Sequence, residues 1–351
     1  MTQAEAPVLI EVRNRVGYLT LNRPAGLNAV TLEMVRMLHR QLQAWADDQG
    51  VVAVVLRGAG EKAFCAGGDI RSLYDSYQSG DSLHREFFEE EYALDQYIHA
   101  YTKPLLALMN GFVLGGGMGL VQGASLRVIS ERTRMGMPEV GIGYFPDVGG
   151  SYFLSRLPSN LGFYMGLTGN HVGSADALYA GLADYCVPYE RFAELEQQLD
   201  KQDWKTSAED ALTSLLKDMG STELPDAPFE TLAPAIEQHF AHDTVIAIRQ
   251  SLAGENRPEY RDWAAETLKV IDSRSPLSVS VTLEMLRRGR TLSLAECFAM
   301  ELHLDRQWFD GGDIIEGVRA LIVDKDKNPR WNPPTLDEVT SERVAAFFAG
   351  V

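Results

Sequence analysis

The sequence predicts an α/β protein, and three observations carry that reading. Apolar runs of strand length at Val51–Arg57, Pro104–Met109 and Leu126–Ile129 alternate with stretches of helical periodicity. Glycine clusters follow the first two runs, at Gly67-Gly68 and Gly115-Gly116-Gly117. Past about residue 190 the strand runs stop and the chain becomes charged and helical. Such repetition of strand and helix implies crossover connections and an α/β core.

The elements follow in order. Val8–Leu21 alternates like paired strands about a turn at Asn14-Arg15-Val16-Gly17. Thr31–Asp48 is an amphipathic helix, with Leu32, Val35, Leu38, Leu42 and Trp45 on its apolar face. Ser82–Thr102 is helical, and another helical pattern opens at Met118. Arg191–Leu215 and Phe229–Ala253 are helical, separated by a Pro-containing linker at Gly220–Pro228. Ser278–Arg288 and Leu292–Phe309 are two more helices. The expected division is a catalytic core over residues 1–190 and a C-terminal helical region over 191–351.

Composition bounds the function. The chain has 351 residues, 45% of them hydrophobic, enough to bury a substantial core. Its net charge of −17 disfavours nucleic acid as a partner, because phosphate binding rests on Lys and Arg. No apolar run reaches transmembrane length, so no membrane partner is expected. The segment Met1–Pro7 has neither a basic nor an apolar signal region and is acidic rather than Arg-rich, so the expected location is the cytoplasm. The three cysteines, Cys65, Cys186 and Cys297, show neither zinc spacing nor a disulfide framework. No metal is expected from the seven scattered histidines.

The most informative stretch is Met135–Gly150, where Glu139 and Asp147 stand among Gly, Pro and apolar residues. Apolar surroundings penalise a carboxylate, so acids kept there point to a function. The bland reading of Asp147 is a turn, since Pro-Asp-Val-Gly is good turn chemistry. The two glycine clusters open a second line of reasoning. Glycines at a strand end leave peptide N–H groups uncovered. A helix starting in a triple glycine has unpaired N–H groups and a positive dipole end. Two such loops can aim donors at one oxygen, which is an oxyanion hole. Tight strand–helix packing explains either loop alone. Neither fits a nucleotide-binding pattern. Cys65 lies beside the first loop, but Phe64 and Ala66 offer nothing to activate a thiolate, so it reads as a packing residue.

Leu21–Ala29, Phe64–Ile70, Gly111–Leu120 and Pro138-Glu139 together resemble the crotonase (enoyl-CoA hydratase/isomerase) superfamily. Phe145–Gly150, Ser275–Ser278, Glu316–Asp326 and Pro329–Trp331 are most similar to its 3-hydroxyisobutyryl-CoA hydrolase branch. The resemblance implies a spiral ββα superhelix with a C-terminal helical subdomain, and an acyl-CoA substrate. It implies the N–H groups of Gly68 and Gly116 as oxyanion donors, with Gly67 and Gly115 lining the substrate. Glu139 takes the place of the hydratases' acid/base carboxylate. Their second glutamate falls at Gly119, which cannot transfer a proton. Asp147 stands where hydratases usually have glycine. The resemblance therefore implies hydrolysis through Glu139 and Asp147, with coenzyme A as part of the substrate and no separate cofactor. Glu91 matches a substrate-contacting glutamate, although from composition alone it belongs to an ordinary acidic helix face. Arg23 and Lys62 are candidates to meet the anionic coenzyme A, against the plain reading of solvated surface charges. A homo-oligomer is compatible with the C-terminal helices. The competing readings are a hydratase or isomerase using Glu139 alone, and a binding protein on the same scaffold.

Overall fold

The N-terminal hairpin sets one edge of the main sheet. In the computed structural model, which describes residues 6–351 except 222, 223 and 225, Val8–Arg13 (β1) pairs antiparallel with Val16–Leu21 (β2). Asn14 and Arg15 form the loop, with φ of 43° and 65°, the backbone that a two-residue hairpin demands. The turn is thus tighter than the four residues expected, and Val16 and Gly17 already belong to β2. Leu32–Ala46 (α1) follows, its N-terminus capped by the Thr31 side chain accepting from the Met34 N–H. The five expected apolar positions of α1 are all buried.

A strand–strand–helix unit then recurs. Ala53–Gly58 (β3) and Ala63–Cys65 (β4) precede Ile70–Ser79 (α2) and Leu83–His99 (α3). Leu105–Met109 (β5) and Phe112–Leu114 (β6) precede Gly116–Gln122 (α4). Leu126–Ile129 (β7) and Arg134–Gly136 (β8) precede Gly150–Phe153 (α5). Leu161–Thr168 (α6), Ser174–Tyr179 (α7) and the short strand Tyr185–Cys186 (β9) complete this part. The first strand of each unit enters a six-stranded sheet of order β1-β2-β3-β5-β7-β9. The second enters a three-stranded sheet of order β4-β6-β8. In the larger sheet every pairing from β2 to β9 is parallel. This is the spiral ββα arrangement that the resemblance implies.

From residue 192 onward the described residues form helices and no strand. These are Phe192–Lys201 (α8), Ala208–Met219 (α9), Pro228–His239 (α10), Val245–Ala253 (α11), Pro258–Asp272 (α12), Pro276–Gly289 (α13), Leu294–Gly311 (α14), Ile314–Val318 (α15) and Ser341–Phe347 (α16). Two expected helices are each broken in two. Ser207 and Thr244 cap new starts, accepting from the N–H groups of Asp210 and Ala247. The helix α12 was not expected; Pro258 at its first turn is the signal for it. The Gly220–Pro228 linker lies partly outside the described residues.

Two compact units are drawn from alternating stretches of chain. One comprises the chain up to Asp69, Ala93–Met135 and Val172–Ala227; the other comprises Ile70–Tyr92, Gly136–His171 and Pro228–Val351. The first unit holds the six-stranded sheet together with α8 and α9. Tyr18, Val55, Leu106 and Leu126 lie side by side in register across one face of the sheet. They share a buried cluster with Phe192, Leu195 and Leu199 of α8 and Leu212, Leu216 and Met219 of α9. The apolar stripes of α8 and α9 are therefore committed to the sheet. The cut expected near residue 190 follows composition and does not coincide with these units. In the second unit α6 is buried at all eight positions and packs against α10, α12 and α13. No helix among the described residues is long and apolar enough to cross a membrane.

Candidate active site

The glycine loops of the first unit converge because no side chain separates them. A Cβ on Gly117 would lie 2.5 Å from the Cys65 carbonyl oxygen, and one on Gly67 would lie 3.9 Å from the Gly116 nitrogen. Gly115, at φ 50° and ψ −120°, turns the chain from β6 into α4 through a conformation closed to L side chains. The Gly116 N–H then opens that helix, where no intrahelical acceptor exists. On the other loop the Val30 N–H donates to Gly67 O at 2.9 Å and the Asp69 N–H donates to Val30 O at 2.8 Å. Between these bonds the Gly68 N–H has no backbone acceptor among the described residues, and the same holds for Gly116.

Arg23 fixes this loop from one side. Its Nη2 donates to Asp69 Oδ2 at 2.9 Å and its Nη1 to Ala29 O at 2.5 Å. The buried Asn28 side chain donates to Ala59 O and Ala63 O, both at 2.9 Å, and accepts from the Arg23 N–H. Arg23, a candidate for the coenzyme, thus has two guanidinium nitrogens committed to the protein. Lys62 is exposed, and Cys65 is fully buried.

The second unit holds the acids. Glu139 follows Pro138 and starts a short 3₁₀ turn, Glu139–Ile142. Its side chain is buried, and its Oε2 has no hydrogen-bond partner among the described residues. Burial first, and the charge of Asp147 second, hold the Glu139 carboxyl well above the usual range. Asp147 is also buried, and its Oδ2 accepts from the Tyr92 hydroxyl at 2.8 Å. Burial pushes Asp147 up to about 7, against the opposing pull of the Tyr92 bond. Two like charges in one apolar site cannot both form cheaply, so the pair holds on to a proton near neutral pH. Glu91, beside Tyr92 on α3, is buried, whereas its neighbour Glu89 is exposed. Glu91 is therefore off the solvated face that composition alone suggests.

Further groups complete this cluster and were missed in the sequence. Glu301 of α14 accepts from the N–H groups of Gly149 and Ser151 at 2.7 and 2.8 Å. Burial raises it to about 8. Asp305, one turn on, accepts from the Tyr144 hydroxyl at 2.8 Å and is raised by burial first. No Lys or Arg donates to Glu139, Asp147, Glu301 or Asp305 among the described residues. A signal was present: Cys297, Glu301, Asp305 and Trp308 share one buried face of α14, so two acids lie on its apolar stripe.

Tyr92→Phe is expected to move the acid limb of the pH–rate profile upward. The hydroxyl favours the ionised Asp147, so its loss raises that carboxyl further. The expected displacement is about one pH unit, from a charged hydrogen bond worth ~1.5 kcal/mol. A limb unmoved in the folded variant would show that Asp147 ionisation does not govern the rate.

Residues 16–348 match the enoyl-CoA hydratase/isomerase family. The chain belongs to that family. This hydratase/isomerase-family chain is 39% identical over 349 residues to a chicken protein named 3-hydroxyisobutyryl-CoA hydrolase, mitochondrial, covering 99% of this chain and 90% of that one. The human protein of the same name is 38% identical over 351 residues, covering 99% and 89%. Among solved structures, a carnitinyl-CoA dehydratase from Mycobacterium thermoresistibile superposes with a TM-score of 0.91 at 38% identity, covering 99% of this chain and 97% of that one. An enoyl-CoA hydratase from Rhodobacter sphaeroides gives 0.88 at 36% identity, covering 98% and 97%. Family membership and the crotonase-type fold agree with the spiral ββα arrangement above.

Proposed function

We propose that this chain is an acyl-CoA thioester hydrolase acting on a short 3-hydroxyacyl-CoA, above all 3-hydroxyisobutyryl-CoA. The products are 3-hydroxyisobutyrate and free coenzyme A, a step of valine breakdown. One observation carries the reading: Glu139 and Asp147 are buried together with no compensating cation among the described residues, in a chain alike over nearly its whole length to relatives named for this hydrolysis. Such perturbed acids mark sites where proton transfer is done.

In this mechanism the thioester oxygen accepts from the N–H groups of Gly68 and Gly116 and gains negative charge as the carbonyl is attacked. Gly67 and Gly115 line the acyl group, and Glu91 contacts the substrate. Glu139 either attacks the carbonyl carbon, giving a mixed anhydride, or takes a proton from the attacking water. The carbon–sulfur bond breaks, and the thiolate leaves with a proton as coenzyme A. On the anhydride route a water then cleaves the anhydride, which releases the hydroxy acid and restores the Glu139 carboxyl. Asp147 orients the substrate hydroxyl or the water. Both routes consume one water per thioester and require no metal or separate cofactor. The remaining parts of the proposal are a homo-oligomer, no nucleic-acid partner and a cytoplasmic location. The vertebrate relatives are named mitochondrial, and fractionation of the native cell tests the location.

The names of the two solved structures favour a second reading, hydration or dehydration of an enoyl-CoA. Against it stands Gly119, buried in α4, where the two-glutamate reaction needs a carboxylate. Thiol release separates the two. Incubation with a panel of short hydroxyacyl-CoA thioesters is expected to liberate one thiol per acyl group, fastest with 3-hydroxyisobutyryl-CoA. Turnover of an enoyl-CoA without free thiol would sink the hydrolase reading.

A further inference from the structure

The turn that carries Asp147 is strained and is held from a distance. Val148 has φ +50°, a conformation that a β-branched residue rarely adopts. Gly149 follows at +84°, and the Gly150 N–H closes the turn onto Asp147 O at 2.7 Å. Such backbone persists only where surrounding contacts determine it. The contacts here come from Glu301, far along the chain on α14. Its Oε2 accepts from the Gly149 N–H at 2.7 Å. Its Oε1 accepts from the Ser151 N–H at 2.8 Å and lies 2.5 Å from Ser151 Oγ. The first-turn N–H groups of α5 are thereby capped by a carboxylate from another helix, since Gly149 has no side chain to do it. All of Glu301 is buried.

We propose that Glu301 is a positioning residue for the reaction: by gripping the Gly149 and Ser151 N–H groups it holds the strained Val148 turn and so aims Asp147. The inference rests on the reading of Asp147 as the group that orients water or the substrate hydroxyl. The Glu side chain suits the task because each of its two oxygens keeps a lone pair for a peptide N–H, whether or not one of them carries a proton. The amide of Gln has one acceptor and turns its NH₂ towards one of the two peptide donors.

The test is Glu301→Gln, with 3-hydroxyisobutyryl-CoA as substrate and Glu139→Gln and Asp147→Asn run in parallel. Glu301→Gln is expected to lower kcat by about tenfold or more with KM within about threefold, the split of an interaction needed in the transition state. Hydrogen exchange in the peptide spanning residues 145–152 is expected to quicken in the same protein. A purely structural role would instead lower the folded fraction, leaving kcat per folded enzyme and this local exchange unchanged. Wild-type kcat in Glu301→Gln, or a lower kcat with unchanged exchange, overturns the proposal. If Glu301→Gln does not fold, Ser151→Ala decides. That variant removes only the hydroxyl contact and is expected to lower kcat about threefold at constant KM; wild-type kcat overturns the proposal. Wild-type rates in Glu139→Gln and Asp147→Asn would sink the underlying hydrolase reading itself. Crippled rates in those two beside an unimpaired Glu301→Gln sink only the role given to Glu301.

Discussion

Glu139→Gln is expected to fold, bind acyl-CoA and turn over roughly 10²–10⁴-fold more slowly, the usual loss when a positioned acid or base is removed. The structure strengthens the expectation of intact folding. Oε2 of Glu139 makes no hydrogen bond among the described residues, so an amide of the same shape breaks no hydrogen bond there. Burial already disfavours the charged carboxyl, so Gln resembles the form that the fold prefers. Turnover is the property left exposed: Gln can neither attack a thioester nor accept a proton from water. A folded Glu139→Gln protein that hydrolyses 3-hydroxyisobutyryl-CoA at near the wild-type rate removes the central claim. Repeated turnover in heavy-oxygen water separates the two roles of Glu139. Label in the Glu139 carboxyl requires an anhydride, whereas its absence favours activation of water.

Asp147→Gly should be the second most damaging change, and it divides hydrolase from hydratase chemistry. If Asp147 orients water or the substrate hydroxyl, its removal lowers hydrolysis by about 10²-fold or more while acyl-CoA binding survives. Glycine accepts turn conformations, so the backbone tolerates it. The structure adds one cost. The buried hydrogen bond from the Tyr92 hydroxyl to Asp147 is lost, which destabilises the fold by about 1–3 kcal/mol. Asp147→Asn keeps an acceptor for Tyr92 and separates the two effects: it should match Asp147→Gly in lost turnover and melt closer to wild type. Neither variant should gain hydratase activity, because Gly119 supplies no second carboxylate. If both hydrolyse the substrate as fast as wild type, Asp147 is a turn residue and the hydrolase branch loses its main support.

Much of this molecule was legible in the sequence because local rules and tertiary structure agree there. The α1 stripe, the three apolar strands and the glycine loops each have one packing solution. Pro138-Glu139 and Asp147 stood out as acids in apolar company, and the structure buries them both. What escaped was set by partners far away in the chain. Glu301 and Asp305 look like ordinary charges in an acidic helix until α14 is given its buried face. Tyr92 looks like one more aromatic until its hydroxyl meets Asp147. Glu91 was set apart from Glu89 and Glu90 by the family resemblance, since composition alone does not distinguish the three. The breaks at Ser207 and Thr244 were missed for a different reason: both caps lie inside stretches whose periodicity continues on either side.

The interleaving of the two units bears on how the chain matures during synthesis. The six-stranded sheet needs β9, and its covering helices α8 and α9 end at Met219. The stretches Ile70–Tyr92 and Gly136–His171 emerge earlier than Pro228–Val351, with which they form the other unit. Leu161–Thr168, buried at every position in the finished protein, therefore leaves the ribosome before the helices that cover it. Non-local pairing of this kind folds slowly, and uncovered apolar segments invite aggregation or chaperone capture while they wait.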